Sequence, residues 1–333
     1  MFRSGFRAFR PVFRRPVQSN NVQSRAYRQQ RFGDSRPRAG WRNFALAGLT
    51  QWAAKPTFYR DVGVITAGAG GFYLYNLEEV PVSGRRRFNC VSPNLEAWLG
   101  KRAVNGVKEE YKGKFLPASD PRVRQVKNVL QRLLPYVKSE GLSDVEWEVN
   151  VIDSPEMNAF VAPGGKVFVF TGILPLCRDE NGIAAVLGHE IAHVVARHSA
   201  ERLSQSPLVL LGALLLTSID FSLYTSIMLL NVFLSWPGSR KQEAEADYIG
   251  LLMMAEGCYR PEAAMEFWSR MNKQAVHQAP PELLSTHPSD RNREEKIREW
   301  LPQAHQKAES SDCYDTMNYA GQFAKTLGGS WWA

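Results

Sequence analysis

The stretch GIAAVLGHEIAHVVARHSAERL (182–203) holds no proline, is apolar on most faces, and centres on His189-Glu190-Ile191-Ala192-His193. It reads as a helix that must be buried. Histidines at i and i+4 project from one helical face, so both imidazoles can take adjacent corners of a zinc tetrahedron. Glu190 lies beside that face, where a carboxylate can accept a proton from a water activated by the metal. Two histidines on a solvated helix would be unremarkable surface residues. On an apolar helix, burying them with a glutamate is costly without a ligand or partner, and a zinc site is the better reading.

The class of zinc site depends on the third ligand. A metzincin extension would need Gly at 196 and His at 199, whereas the chain has Ala196 and Ser199, so that class is excluded. His198, five residues past His193, is rotated off the ligand face and reads as a capping or hydrogen-bonding histidine. About 50 residues on, SRKQEAEADYIGLLMMAEG supplies Glu243, Glu245 and Asp247. Glu243 and Asp247 share a helical face. Glu243 is the expected third ligand, and Asp247 the expected acceptor for the free N–H of a ligand histidine. Glu245 points elsewhere and is expected to be solvated.

HEIAH followed by Ser239-Arg240-x-x-Glu243-x-x-Ala246-Asp247 resembles the gluzincin metallopeptidases that include the bacterial heat-shock protease HtpX and the CAAX prenyl protease. Asn158-Ala159-Phe160, Pro163-Gly164-Gly165, Thr171-Gly172 and Thr286-His287-Pro288 match in the same order. The resemblance covers roughly residues 120 to 300 and extends to the stress-activated mitochondrial inner-membrane branch of the family. It implies an α+β fold: a mainly helical zinc-metallopeptidase domain with a small β-sheet, preceded by one transmembrane helix. It also gives His287 an active-site role, as oxyanion stabiliser or as a fourth zinc ligand in the resting enzyme. The competing role of His287 is entry residue of the helix NREEKIREWL.

The residues agree with such a fold. Asp120-Pro121 is a helix start, and Val123, Val126, Leu130, Leu133, Leu134 and Val137 form one stripe after it. VEWEVNVID alternates as a strand. Lys166–Phe170 is a second strand, expected at a sheet edge, where Val167 and Phe168 would pair with an extended peptide substrate. Asn158 either hydrogen-bonds that peptide or is a turn residue; the two readings weigh equally.

Charge is unevenly placed. Residues 1–43 carry eleven arginines and one acid, Asp34, which exceeds the net +8 of the whole chain. Arg3, Arg7, Arg10 and Arg14 interleave with Phe2, Phe6, Phe9 and Phe13, the Arg-rich, acid-poor pattern of a mitochondrial presequence. A nucleic-acid-binding arm is the rival, disfavoured by the position at the extreme N-terminus, and no nucleic-acid partner is expected.

A membrane anchor and linker should occupy 44–90, with a transmembrane helix at 62–77, the alternative for that stretch being a buried Gly-rich hairpin or loop. That stretch is free of charge, and Gly63, Ala67 and Gly71 form a small-residue stripe suited to a homo-oligomer. The metallopeptidase domain should run over 91–310 and include a hydrophobic hairpin at 207–237 that reaches membrane lipid or packs as a buried helical pair. A C-terminal tail would follow at 311–333. The four cysteines include no CxxC pair. With the catalytic domain facing the intermembrane space, Cys258 and Cys313 are candidates for a disulfide.

These readings converge on an endopeptidase holding one zinc ion per chain at His189, His193 and Glu243, with Glu190 as general base. By resemblance its substrates are membrane-anchored or misfolded proteins of the mitochondrial inner membrane, including the dynamin-like fusion GTPase. The rival is a non-catalytic membrane adaptor with a structural metal site. Three protein ligands and an adjacent Glu favour the open, catalytic kind.

Overall fold

The computed structural model describes residues 40–139, 145–217, 236–277, 283–284, 287, 292–311 and 313. The arginine-rich segment before residue 40 and the distal part of the expected hairpin, 218–235, lie outside the described residues. The chain divides into two compact units after Phe58. The first unit contains helix α1 (Gly40–Ala53).

The second unit opens with α2 (Phe58–Tyr75), which coincides with most of the expected membrane segment. Among the described residues no helix is long and apolar enough to cross a membrane, α2 over the expected span at 62–77 included. α2 opens with Arg60 and Asp61, paired at 3.1 Å, and contains four glycines. Its 18 residues rise only ~27 Å. None of its residues is buried, and Val64, Ile65, Phe72 and Leu74 are more than half exposed.

A short antiparallel hairpin follows, β1 (Leu77–Glu79) with β2 (Arg86–Phe88), then α3 (Pro93–Glu110) and α4 (Pro121–Ser139). Asp120 caps α4 by accepting from the Arg122 amide at 2.8 Å. The anticipated stripe is its buried face, with Val126, Leu133 and Val137 fully covered.

The sheet comprises β3 (Glu148–Ile152), β4 (Ala159–Ala162) and β5 (Lys166–Phe170) in the order β3-β5-β4. β5 pairs parallel with β3 and antiparallel with β4. The expected edge position of Lys166–Phe170 is therefore overturned, because β5 is the central strand. Val167 packs into the main core, while Phe168 joins Val104, Ile152, Ala162 and Phe170 in a second cluster on the opposite face. An unbroken apolar run is what burial on both faces demands, and VFVF carries that signal. β3 and β4 are the two edge strands; the outer side of β3 takes a bridge from Phe115 to Ile152, whereas no second partner pairs with β4 among the described residues, which leaves its edge open.

After a 3₁₀ turn (Thr171–Ile173) and the short α5 (Leu174–Cys177) comes α6 (Glu180–Val195), the centre of the fold. It packs against α4, α5, β4, α8 (Trp236–Glu256) and α9 (Glu262–His277). Asp179 starts α6 by accepting from the Gly182 amide at 3.0 Å. Burial would raise its pKa, but the bonds from Gly182 and Asn181 hold it below the usual value. Asp179→Ala is expected to cost about 0.5–2 kcal/mol at pH 7 by chemical denaturation. A carboxylate whose pKa is depressed by folding stabilises above its unfolded pKa. The difference should therefore close as pH falls below ~4, where the cap protonates.

α7 (His198–Thr217) and α10 (Arg293–Glu309) complete the described helices. Cys258 and Cys313 form a disulfide that ties the chain after α10 to the end of α8.

The crossing of α6 and α8 fixes the geometry of the site. A Cβ on Gly250 would stand 2.9 Å from the Gly188 carbonyl carbon and from the His189 amide nitrogen, so glycine lets the two backbones touch one residue before the first histidine. Gly250→Ala is expected to destabilise by about 1–3 kcal/mol, the usual cost of overpacking. It should also weaken zinc binding at the expected ligands His189, His193 and Glu243, because it separates the helices that carry them. Calorimetry with and without zinc reads both effects.

Candidate metal centre

His189 and His193 lie one turn apart on α6, and Glu243 enters from α8 across the Gly188–Gly250 contact. His189 Nε2 stands 3.1 Å from His193 Nε2 and 3.2 Å from Glu243 Oε2, and His193 Nε2 is 3.6 Å from Glu243 Oε1. His287 joins them, its Nδ1 lying 3.3 Å from His189 Nε2 and 3.1 Å from Glu243 Oε2. One ligand atom from each of these four buried residues falls within 4.8 Å of the others.

The chemistry of this set fits a cation. The Asp247 carboxylate accepts the His189 Nδ1 proton at 2.9 Å, and His193 Nδ1 bonds to His198 Nδ1 at 2.7 Å. Once His189 gives up its Nε2 proton, the two Nε2 atoms face one another and the Glu243 carboxylate as a concentration of donors that a metal ion resolves.

The electrostatics follow the same geometry. Burial would lower the His189 pKa, but the Asp247 and Glu243 carboxylates push it up to about 9. For His193 burial dominates and holds the ring well below its usual value, mostly neutral. Burial would raise Glu243, yet hydrogen bonds from His189, His193 and His287 hold it far below the carboxylate range. Glu190 goes the other way, because burial raises it. Its Oε1 is buried without a hydrogen bond, 3.4 Å from His287 Nε2.

The predicted residues separate into two groups. His189, His193, Glu243, Asp247, Glu190 and His287 come together at one point. Val167 and Phe168 do not, being fully buried in the central strand with no edge to offer. Asn158 immediately precedes β4. Its backbone carbonyl accepts from the Phe170 amide, and its side-chain oxygen accepts from the Ala159 amide at 2.9 Å. That places it beside the open-edge strand, which packs on α6.

Glu245 is not solvated, contrary to expectation. Two residues from Glu243, it points to the far side of α8, where α7 and the hairpin bury it to 6% exposure. Its carboxylate accepts from His198 Nε2 at 2.8 Å and from Arg85 at 2.7 Å, and Ser83 donates to its other oxygen. Burial would raise it, but these donors hold it down to about 2.

Sequence reasoning missed two arginines. Arg293 opens α10, is 4% exposed, donates to Asp247 and lies 3.2 Å from the Trp268 ring centroid, a cation–π contact. It was hidden in a charged segment that reads as a solvated helix. Arg85 belongs to the run Arg85-Arg86-Arg87. Strand alternation turns Arg86 outward and its two neighbours inward. That period-two pattern around β2 was the available signal.

Residues 121–301, just over half the chain, match Peptidase family M48. The mitochondrial metalloendopeptidase OMA1 of Schizosaccharomyces pombe is 48% identical over 258 residues, covering 76% of this chain and 74% of that protein. The Saccharomyces cerevisiae protein of the same name is 37% identical over 277 residues, covering 79% and 80%. The human metalloendopeptidase OMA1, mitochondrial, is 37% identical over 257 residues, covering 73% of this chain and 49% of its own length.

Proposed function

Because the chain belongs to peptidase family M48 and is a mitochondrial metalloendopeptidase, we propose that it is a zinc endopeptidase of the inner membrane that cleaves membrane-anchored or misfolded proteins there. His189, His193 and Glu243 hold the ion. The observation that carries this reading is Glu190, buried beside the donor cluster with Oε1 free of hydrogen bonds.

When bound, zinc supplies Lewis acidity, lowering the pKa of water and polarising the scissile carbonyl. Glu190 takes the proton of the attacking water and returns it to the leaving amine. Asp247 holds His189 in the tautomer whose Nε2 lone pair is free, and Arg293 holds Asp247. The open edge of β4, just after Asn158, receives the extended substrate as an added strand. His287, with Nδ1 toward Glu243 and Nε2 toward Glu190, closes the set as a fourth ligand at rest. It opens when substrate enters and then donates to the developing oxyanion.

A closed four-donor set is the habit of structural zinc. The Glu190 carboxyl beside it, free of hydrogen bonds at Oε1 and 3.4 Å from His287 Nε2, is what favours catalysis over the adaptor reading. The catalytic domain over 91–310 faces the intermembrane space. The presequence delivers it, the exposed apolar side chains of α2 contact lipid, and the stripe of Gly63, Ala67 and Gly71 supports a homo-oligomer.

The test is zinc stoichiometry on the purified full chain, together with cleavage of a membrane-anchored inner-membrane protein in mitoplasts. One zinc per chain, cleavage stopped by a chelator and restored by zinc is the expected result. Cleavage that persists after the zinc has been removed would overturn the assignment.

A further inference from the structure

We propose that His198 is the positioning residue for the metal ligand His193, and that Arg85 and Glu245 hold it in place, which makes the β1–β2 hairpin a working part of the metal centre. This rests on the reading of His193 as a ligand.

Hydrogen-bond direction can be followed along the chain of contacts. Arg85 donates through Nε (2.9 Å) and Nη2 (2.7 Å) to Glu245 Oε2, and Ser83 donates to Oε1, so Glu245 is a carboxylate that can only accept. Its contact with His198 Nε2 at 2.8 Å therefore places a proton on that nitrogen. His198 Nδ1 is left with a lone pair, and the 2.7 Å contact with His193 Nδ1 requires His193 to be the donor. With its proton fixed on Nδ1, His193 presents a bare Nε2 to His189 and Glu243. The two ligand histidines are thus oriented by different devices, His189 by a carboxylate directly and His193 through a second imidazole.

The backbone is shaped for this contact. On one continuous helix His198 would lie about 140° around from His193. The helix instead ends at Val195, and Arg197 adopts the left-handed region with φ of 49°, an uncommon conformation for a residue with a side chain. That turn starts α7 at His198 and carries its ring back onto His193, with centroids 4.8 Å apart. The break is held from outside α6 and α7. Arg87 donates to the Ala196 carbonyl, Arg197 donates to Glu96 and to the Val91 carbonyl, and Arg85 forks onto Glu201 at 2.7 and 2.8 Å. Arg85 immediately precedes β2 and Arg87 is its middle residue, so the hairpin that follows α2 grips the helix break and its partner carboxylates together.

The test compares two polar replacements on the full-length protein, reading zinc affinity by competition with a chromophoric chelator. Asn at 198 places its amide oxygen where Nδ1 stood and can still accept from His193. Gln reaches the Nε2 position and keeps the Glu245 contact, but leaves no acceptor for His193. His198→Gln is expected to bind zinc about 10–100-fold more weakly, the usual effect of removing an outer partner of a ligand histidine, while His198→Asn stays within a few-fold of wild type. Arg85→Met should weaken zinc by about tenfold, the low end of the same range. Equal affinities for His198→Asn and His198→Gln would overturn the role of His198, and unchanged affinity in Arg85→Met would overturn that of the hairpin. Wild type that binds no zinc would instead sink the zinc-peptidase reading itself. ¹⁵N shifts of the His193 ring supply the structural readout, with the proton expected on Nδ1 in wild type and a mixture of tautomers in His198→Gln.

Discussion

Glu190→Gln is expected to keep one zinc per chain while cleavage of a membrane-anchored substrate falls by at least ~10²–10⁴-fold. Glu190 is not one of the four residues whose ligand atoms converge, so its charge is not needed to hold the ion. Glutamine has the same shape, and because Oε1 makes no hydrogen bond in the folded protein, the change strands no donor there. Burial already pushes the carboxyl above its usual range, so replacing it with a neutral amide relieves desolvation and should not lower stability. What disappears is the one group placed to take a proton and give it back. Metal analysis and single-turnover cleavage on the same preparation separate the two properties. A variant that retains zinc and still cleaves at the wild-type rate would remove Glu190 from the mechanism.

Glu243→Gln should do the reverse of sparing the metal. Glu243 is 2% exposed and its two oxygens face three imidazoles. Losing its charge removes a ligand and the negative field that draws a cation into a buried site. Zinc affinity is expected to fall by more than ~100-fold, beyond the upper end seen when only an outer partner is lost. The thermal response provides an independent measure. At free zinc about 1,000-fold above its dissociation constant, wild type should gain about 4 kcal/mol of stability, whereas the variant's unfolding midpoint should not move with zinc. A zinc-dependent rise of the same size in Glu243→Gln would show that the ion is held elsewhere.

Much of this centre could be read from spacing alone. HEIAH fixes two histidines on one face, and the i, i+4 pair Glu243 and Asp247 fixes two carboxylates on another, because 3.6 residues per turn leaves no other arrangement. The stripe on α4 was legible for the same reason. Errors arose where burial came from more than one side. Glu245 was expected in water because it points away from Glu243, a sound inference for a helix with one buried face. α8 is packed on opposite faces, and His198 and Arg85 wait on the second. Val167 and Phe168 were placed at an edge although their unbroken apolar run fits a strand flanked by two others. The apolar stretch of α2 reads as a membrane span, yet the helix takes in Arg60, Asp61 and four glycines, which lower its mean hydropathy.

What the chain writes locally is the donor set of the candidate centre: which residue types bear lone pairs, at what helical phase, and which carboxylate stands beside them. Local periodicity is enough for that, since each pair lies within one turn of one helix. Their surroundings come from packing. The Gly188–Gly250 contact, the left-handed turn at Arg197, the central place of β5, and the reach of Arg85 and Arg293 into the centre depend on packing between elements far apart in the chain. Close-packed interiors select such contacts by shape and by the need to pair every buried charge, and neither requirement leaves a periodic trace in the sequence.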